Sequence, residues 1–330
     1  MTTHAGHRAA NPSNGAAGGH ILEVGPVNPL VSAVLSEEFD ALRLPAGTTE
    51  RGEFLDRYAA GIDVVVCSGR FGVDTELMRR LTGLNAIINY GAGYDATDVA
   101  QAKERGIRVS NTPDVLTDCV ADTALVLYLD VLRRVSAADR FVRRGDWEGT
   151  GSFPLAVRAS GKRVGVLGLG RIGSAIARRL DGFGCEVHYH NRRSVAGSPY
   201  AYADSVVGLA AAVDVLIVAA AGGPDSAGLV GADALSALGP DGYVVNIARG
   251  SVIDEGALVD ALVEGRIAGA GLDVFADEPR VPPALMALDN VVLLPHLGSG
   301  THETRRDMAE LTLENLRSYL RDGNLVTPID

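Results

Sequence analysis

Short apolar runs alternate with helix-length segments along most of this chain, and this alternation limits the possible folds more than any other feature. Strands separated by helices pair in parallel, because the crossover helix returns the chain to the same edge of the sheet. The first set of runs lies at 62–67, 86–89 and 107–110, and the second lies at 163–168, 185–190, 213–220, 243–248, 269–275 and 291–295. Six strands match a complete doubly wound nucleotide-binding domain. We therefore predict an α/β protein with two doubly wound parallel-sheet domains.

A long helical stretch separates the two sets of strands. Residues 117–142 carry apolar side chains at helical spacing, which predicts a helix that bridges the domains. A last predicted helix, from Thr301 to Leu320, follows the sixth strand of the second set, and we expect it to return to the first domain. The predicted boundaries are a disordered tail at 1–19, a discontinuous substrate-binding domain at 20–116 and 297–330, and a cofactor-binding domain at 117–296.

The segment RVGVLGLGRIG, residues 163–173, places three glycines between a predicted strand and a predicted helix. This context makes G-x-G-x-x-G a dinucleotide-binding fingerprint, since the glycines allow a tight turn, close approach of the pyrophosphate and close packing of helix on strand. The N–H groups at the start of the helix are donors for phosphate. We assign cofactor binding to Gly168, Gly170, Arg171, Ile172 and Gly173. The alternative is that these glycines serve only the turn.

The end of the next strand predicts which nicotinamide cofactor is bound. An enzyme that uses NAD places Asp or Glu about 20 residues beyond the first glycine to bind the ribose hydroxyls. This chain has Asn191 there, followed by Arg192 and Arg193. An arginine pairs with a 2′-phosphate through charge-assisted hydrogen bonds. We predict that all three residues bind the cofactor and that NADPH is preferred, with NAD possible; the alternative is that both arginines are solvated surface charges.

Three further strand ends carry residues suited to catalysis. Arg249 follows the run YVVNIA, and His296 follows VVLLP. Between them, Asp273 lies near the end of the run GAGLDVF and Glu278 follows it. Open α/β sheets bind their ligands at the carboxyl ends of the strands. Taken singly, the arginine could bridge the two domains, Glu278 could be a surface carboxylate, and the histidine could be a core or capping residue.

Charge, cysteines and hydropathy exclude several classes of protein. The net charge of −11 argues against nucleic acid as a partner. The three cysteines, Cys67, Cys119 and Cys185, lack the spacing of a metal site or a disulfide framework, so we predict no metal and a cytoplasmic location. No apolar run reaches the length of about 18 residues that a membrane span needs, and the N-terminus lacks the order of a signal peptide. We expect neither membrane association nor export.

The glycine loop together with NIARGSVIDE, GLDVFADEP and LLPHLGSGTHETR resembles the D-isomer-specific 2-hydroxyacid dehydrogenase family. The resemblance covers about residues 60 to 320. Within the family, NTPDVLTDCVADTAL and SGKRVGVLGLGRIG are similar to segments of the NADPH-dependent glyoxylate, hydroxypyruvate and hydroxyphenylpyruvate reductases. The resemblance implies a Rossmann cofactor domain and a flavodoxin-like substrate domain with a cleft between them. The expected activity is reduction of a short 2-oxo acid to the D-2-hydroxy acid.

The resemblance also implies roles for individual residues. The family's catalytic arginine, glutamate and histidine correspond to Arg249, Glu278 and His296. Its substrate-carboxylate loop corresponds to YGAGYD, in which we assign substrate binding to Gly91, Ala92 and Gly93, together with the arginine and the histidine. The histidine would act as general acid in reduction, held by the glutamate, and the arginine would hold the 2-oxo acid by its planar fork.

Three further expectations follow from the resemblance. Asp273 is expected near the nicotinamide amide. Relatives pair through the bridge-helix region, and ALVLYLDVL is more apolar than a solvated helix needs, so we expect a homodimer. The alternative function is a corepressor-like protein that senses NAD(P)H with little turnover, because such a protein can retain the three catalytic residues.

Overall fold

The computed structural model describes residues 20–329, so the predicted tail at 1–19 lies outside the described residues. In the described part, five parallel strands form the first sheet, in the spatial order β2-β1-β3-β4-β5. The strands are β1 (His20–Val24), β2 (Leu42–Arg43), β3 (Ile62–Ser68), β4 (Ala86–Tyr90) and β5 (Arg108–Ser110). This is the flavodoxin-like order. The prediction of a doubly wound parallel sheet is confirmed, and β1 and β2 are additions to the runs found in the sequence.

Helices cover both faces of this sheet. They are α1 (Pro29–Phe39), α2 (Thr48–Tyr58), α3 (Thr75–Arg80) and α4 (Val99–Glu104). The carboxylates of Asp74 and Asp98 accept hydrogen bonds from the backbone N–H three residues on, and so fix the starts of α3 and α4. In β3, Val64 and Val66 pack into one hydrophobic core and Cys67 into another, because alternate side chains point to opposite faces.

The bridge predicted over 117–142 is not one helix. It consists of α5 (Thr117–Arg133) and α6 (Val135–Arg143), followed by the short α7 (Asp146–Thr150). Arg134 has a left-handed backbone, with φ of 55°, which ends α5. The carboxylate of Asp130 then accepts a hydrogen bond from the backbone N–H of Ser136 at 2.8 Å. The periodicity continues across the break, so it could not reveal it.

Seven parallel strands form the second sheet, in the order β12-β11-β10-β9-β6-β7-β8. They are β6 (Arg163–Leu167), β7 (Glu186–His190), β8 (Ala201–Tyr202), β9 (Val215–Val218), β10 (Tyr243–Asn246), β11 (Gly269–Leu272) and β12 (Val291–Leu293). The order is the doubly wound one, with its reversal between β6 and β9. The sequence predicted six strands and missed β8, because its two residues are exposed and give no apolar run.

The helices of the second sheet precede a long helix that returns to the first. They are α8 (Arg171–Asp181), α9 (Val206–Ala212), α10 (Ala232–Leu238), α11 (Glu255–Val263) and α12 (Pro283–Met286), and the final helix is α13 (His302–Asp322). Helix α13 packs against β4 and α1, whereas α5 packs against α8, β10 and β11. The chain therefore crosses between the sheets before α5 and again before α13.

Neither a membrane-spanning helix nor a cluster of metal ligands occurs among residues 20–329. None of the helices there combines the length and apolar character that crossing a membrane requires. In the same range, no three His, Cys, Asp or Glu side chains are grouped so that they could hold a metal ion.

Candidate active site

The glycine loop joins β6 to α8 at the reversal point of the second sheet. Gly168 has φ of +101°, and a Cβ atom there would lie 2.6 Å from the backbone nitrogen of Ala220. A Cβ atom on Gly173 would overlap the carbonyl oxygen of Gly168, whereas nothing lies within 4 Å of the corresponding position on Gly170. The fold itself therefore requires Gly168 and Gly173, while Gly170 leaves open space before the first turn of α8.

Asn191 supports the glycine loop from the end of β7. Its Oδ1 atom accepts a hydrogen bond of 2.6 Å from the backbone N–H of Leu169. Arg192 and Arg193, which follow it, are exposed, and the Nη1 atom of Arg192 lies 3.7 Å from the Asp225 carboxylate. With both partners about nine-tenths exposed, this ion pair contributes little to stability.

The first two residues of α8 face different surroundings. The guanidinium of Arg171 is exposed and pairs with the carboxylate of Asp114 at 2.9 Å. Ile172 is partly buried and packs against the hydrophobic core. The loop thus places one cation and one apolar side chain beside the open space at Gly170.

His296 and Glu278 form a hydrogen-bonded pair. The Nδ1 atom of His296 lies 2.8 Å from Oε2 of Glu278, while Oε1 of Glu278 accepts a hydrogen bond of 3.2 Å from the backbone N–H of Phe275. The imidazole is 46% exposed and the carboxylate 19% exposed. Both predicted residues therefore meet, and the carboxylate fixes the ring through one nitrogen and leaves Nε2 as the nitrogen that can exchange a proton with a ligand.

The environment of Glu278 favours its ionised form. Burial acts to raise its pKa, but the hydrogen bond and the charge of His296, the Phe275 N–H and the nearby charge of Arg70 lower it, and the net pKa is below the ordinary value. The carboxylate is therefore charged at neutral pH and faces Nδ1 of His296 as an anion.

Asp273 links the three strand ends that carry the predicted catalytic residues. Its backbone N–H donates to the carbonyl of Asn246 at the end of β10, and its carbonyl accepts from the N–H of His296. Its buried carboxylate accepts hydrogen bonds from the N–H groups of Leu297 at 2.7 Å and Gly298 at 2.8 Å. Burial raises its pKa, and these two hydrogen bonds oppose the rise. The contact with a nicotinamide amide remains a prediction.

Arg249 follows β10 and extends toward the first sheet. Its Nε atom donates to Oδ2 of Asp95 at 2.7 Å, and its Nη1 atom donates to the carbonyl of Ala248 at 2.7 Å. The side chain of buried Asn246 holds the Arg249 carbonyl through a hydrogen bond of 3.0 Å. The arginine is thus fixed at its backbone and at its guanidinium.

The loop Gly91–Gly93 follows β4 and is shaped by two asparagines. Asn89 donates to the carbonyls of Gly93 at 2.9 Å and Gly91 at 3.3 Å, and Asn111 donates to the carbonyl of Ala92 at 2.8 Å. Within residues 20–329, the N–H groups of Ala92 and Gly93 have no hydrogen-bond acceptor. Free backbone N–H groups are the donors that an anion needs, and binding of the substrate carboxylate at this loop stays a prediction. Sequence reasoning missed both asparagines, although Asn89 interrupts an apolar strand.

Arg70 makes a second contact between the two sheets. It lies in the loop after β3, and its Nη2 atom donates to the backbone carbonyl of Glu278 at 2.5 Å. Together with the pair formed by Arg249 and Asp95, this contact joins the strand ends of the first sheet to those of the second. Sequence reasoning singled out neither Arg70 nor Asp95 individually.

Comparisons with known proteins agree with this geometry. The family model of the D-isomer specific 2-hydroxyacid dehydrogenase NAD-binding domain matches residues 125–298. The chain is 44% identical to hydroxyphenylpyruvate reductase of Plectranthus scutellarioides, over 94% of this chain and 98% of the relative. It is 42% identical to a glyoxylate/hydroxypyruvate reductase of Arabidopsis thaliana, with the same coverage. Among solved structures, an NADPH-dependent glyoxylate/hydroxypyruvate reductase of Sinorhizobium meliloti, in complex with NADP and malonate, has a TM-score of 0.88 at 44% identity, covering 94% of this chain and 97% of that one.

These findings define an oxidoreductase of the two-domain, doubly wound class. The chain belongs to the D-isomer-specific 2-hydroxyacid dehydrogenase family, as its motifs predicted. The predicted enzyme class is thereby confirmed.

Proposed function

We propose that this enzyme uses NADPH to reduce a short 2-oxo acid of the glyoxylate and hydroxypyruvate type to the D-2-hydroxy acid. The observation that carries the proposal is the hydrogen bond between His296 and Glu278 at the same cleft where Arg249 reaches the loop Gly91–Gly93. A proton donor, a cation and a receptor for a carboxylate are the groups that a 2-oxo acid needs.

The residues at the open side of the second sheet fit a dinucleotide. The space at Gly170 lets a pyrophosphate approach the N–H groups at the start of α8, where the helix dipole favours an anion. Arg192 and Arg193 stand exposed at the end of β7, with no carboxylate at position 191, and fit a 2′-phosphate. The relative from Sinorhizobium meliloti is NADPH-dependent, which supports the preference for NADPH; NAD remains a weaker ligand in the proposal. When bound, NADPH supplies the hydride.

The protein residues bind, orient and protonate the substrate. Arg249 and the free N–H groups of Ala92 and Gly93 would bind its carboxylate, and the guanidinium would polarise the 2-oxo group. His296 would give its Nε2 proton to the developing alkoxide in reduction and accept a proton in the reverse direction. Glu278 would stabilise the imidazolium between these steps.

The nature of the substrate side chain rests on the relatives. One is named for hydroxyphenylpyruvate and two for glyoxylate and hydroxypyruvate, so a shared 2-oxo acid head with varied side chains fits all three. These relatives are reductases, and no observation on residues 20–329 favours the corepressor-like alternative.

The architecture supports three further proposals. The substrate domain would comprise 20–116 and 297–330, and the cofactor domain 117–296, because α13 packs on the first sheet and α5 on the second.

A homodimer would cover the exposed apolar side chains of the bridge region: Val126, Val135, Val142, Trp147 and the fully exposed Leu155. Trp147 lies in α7. Sedimentation as a monomer would contradict the dimer. The three cysteines are free within residues 20–329. Because thiols stay reduced in the cytoplasm, we propose that the enzyme is located there.

The proposal is tested by following the absorbance of NADPH, with NADH in parallel, against glyoxylate, hydroxypyruvate, pyruvate and 4-hydroxyphenylpyruvate. His296→Ala should lose turnover. His188→Ala is the matched control, because the Nε2 atom of His188 also contacts a carboxylate, that of Glu186, at 2.9 Å within β7. If the enzyme binds NADPH but oxidises it with none of these acids, the result would contradict the proposal and favour the sensing alternative.

A further inference from the structure

Asp95 makes an ion pair across the cleft. The carboxylate follows the loop Gly91–Gly93 in the first domain, and Arg249 follows β10 in the second, yet Nε of the arginine lies 2.7 Å from Oδ2 of the aspartate. The side chains are 27% exposed for Asp95 and 32% for Arg249, so both partners are partly shielded from solvent.

Two hydrogen bonds fix the orientation of the guanidinium. Nε is taken by Asp95 and Nη1 by the carbonyl of Ala248, whereas Nη2 has no hydrogen-bond acceptor within residues 20–329. Nη2 lies directly against Gly93, since a Cβ atom on that glycine would overlap it. The one free edge of the arginine is therefore presented to the loop whose N–H groups are also free.

A glycine of the second domain makes room for the pair. A Cβ atom on Gly222 would lie 2.7 Å from Oδ1 of Asp95 and 2.7 Å from Cγ of Arg249. Gly222 follows β9, so the pair is enclosed by backbone from both sheets. Its conformation is imposed by its surroundings and is not the chance meeting of two mobile side chains.

We propose that Asp95 is a positioning residue for the reaction: by accepting from Nε of Arg249 it turns Nη2 toward Gly93, where the carboxylate of the 2-oxo acid binds. The inference rests on the proposed function and adds to it a specific role for a residue outside the three catalytic ones. Because Asp95 acts only through the arginine, it touches neither substrate nor cofactor. Its contact also draws the two domains together around the bound acid.

The role depends on the Nε–H group, which lysine lacks. Asp95→Asn keeps the size of the side chain but removes the charge that strengthens the hydrogen bond. The guanidinium would then leave its position in part of the molecules, and substrate binding would weaken in the ground state and the transition state alike. Such a loss raises KM more than it lowers kcat.

The experiment is a double-mutant cycle on Asp95→Asn and Arg249→Lys, with kcat and KM for the acid that the wild-type enzyme reduces. We expect Asp95→Asn alone to raise KM about tenfold or more, the range for loss of one charge-assisted hydrogen bond. In the Arg249→Lys background the same change should have almost no effect, because no Nε–H is left to position. Asp122→Asn is the matched control, since it removes an acceptor 2.7 Å from Nε of Arg179 on the outside of the fold.

Equal effects of Asp95→Asn in both backgrounds, or an unchanged KM in the wild-type background, would overturn the inference while leaving the reductase intact. Gly222→Ala provides a second variant: it should raise KM in the same way, whereas Gly52→Ala, with nothing within 4 Å of its Cβ position, should not. If the wild-type enzyme reduces none of the acids, the proposed function fails separately. Binding of oxamate to the NADPH-loaded protein, measured by calorimetry, then tests the inference alone: equal affinity in wild type and Asp95→Asn contradicts it, and about tenfold weaker binding in the variant supports it.

Discussion

His296 and Glu278 are joined by a hydrogen bond of 2.8 Å between Nδ1 and Oε2, although the histidine follows β12 and the glutamate follows β11. The two residues follow the ends of neighbouring strands. The backbone N–H of His296 donates a hydrogen bond to the carbonyl of Asp273, which directly follows β11. The histidine that we propose as proton donor is therefore placed by the sheet and not by a loop alone. Single substitutions can therefore remove the carboxylate or the backbone support of the histidine one at a time.

The pH dependence of reduction tests the Glu278 carboxylate. Its pKa lies below the ordinary value, so it carries its charge at every pH above that value and faces Nδ1 of His296 throughout the neutral range. As pH falls through that lowered pKa, the carboxylate takes up a proton and its charge beside His296 is lost. Reduction by the wild-type enzyme should therefore weaken only at the acidic end of the profile, whereas Glu278→Gln, which carries no charge at any pH, should lose about tenfold or more of kcat/KM across the neutral range. A variant that matches the wild-type kcat/KM at neutral pH would count against the pairing as a functional contact.

Asp273 is expected to control the loop that carries His296. In Asp273→Asn one carboxylate oxygen that accepts an N–H becomes an NH2 group that faces a donor, so one of the hydrogen bonds to Leu297 and Gly298 is lost. Loss of a buried hydrogen bond of this kind should cost about 1–3 kcal/mol in the free energy of unfolding. Urea denaturation measures that cost, and kcat should fall with it. Unchanged stability would show that the loop does not depend on these contacts.

The two glycines Gly170 and Gly173 should differ in what their substitution damages. Gly173→Ala forces a Cβ atom onto the carbonyl of Gly168, so it should destabilise the protein by about 1–3 kcal/mol with or without cofactor. Gly170→Ala meets no protein atom within 4 Å and should leave the melting temperature of the free protein unchanged, yet weaken NADPH binding by crowding the pyrophosphate. Fluorescence titration with NADPH measures the second effect. Unaltered NADPH affinity in Gly170→Ala would place the pyrophosphate elsewhere.

Arg192 and Arg193 should set the preference between NADPH and NADH. Replacing either by Asp removes a charge-assisted contact to the 2′-phosphate and adds a repulsive charge, so NADPH affinity should fall about tenfold or more while NADH affinity is kept or improved. Glu186→Ala, at the opposite end of β7, is a control for general effects on the strand. An arginine whose replacement leaves NADPH affinity unaltered does not bind the phosphate.

The sequence predicted the fold where hydrophobic pattern alone decides it. The apolar runs of β3, β6 and β9 are long enough to be recognised, and the alternation with helices implied parallel sheets. The exposed strand β8 and the break at Arg134 were missed, because neither changes the apolar pattern. The Asp130 carboxylate accepts a hydrogen bond from the N–H of Ser136, six residues further on, and hydrophobic spacing does not encode such a polar contact.

The site could be predicted only in part, for a similar reason. Arg249, Glu278 and His296 follow recognisable strands in recognisable motifs, but the groups of the first domain that contact Arg249 and Glu278 come from distant parts of the chain. Asp95 is 154 residues from the arginine it contacts, and Arg70 is 208 residues from the carbonyl of Glu278. Contacts of this kind depend on how the two domains meet, and that information is not local in the sequence.

The most direct test of the central claim is the fate of deuterium from NADPH labelled at the nicotinamide C4 position that donates hydride. With glyoxylate or hydroxypyruvate as acceptor, we expect the label at C2 of the product, and with hydroxypyruvate a product of D configuration; His296→Ala should give almost none. Mass spectrometry and chiral chromatography of the product give both answers. Product without the label at C2, or a product of L configuration, would contradict the proposed reaction.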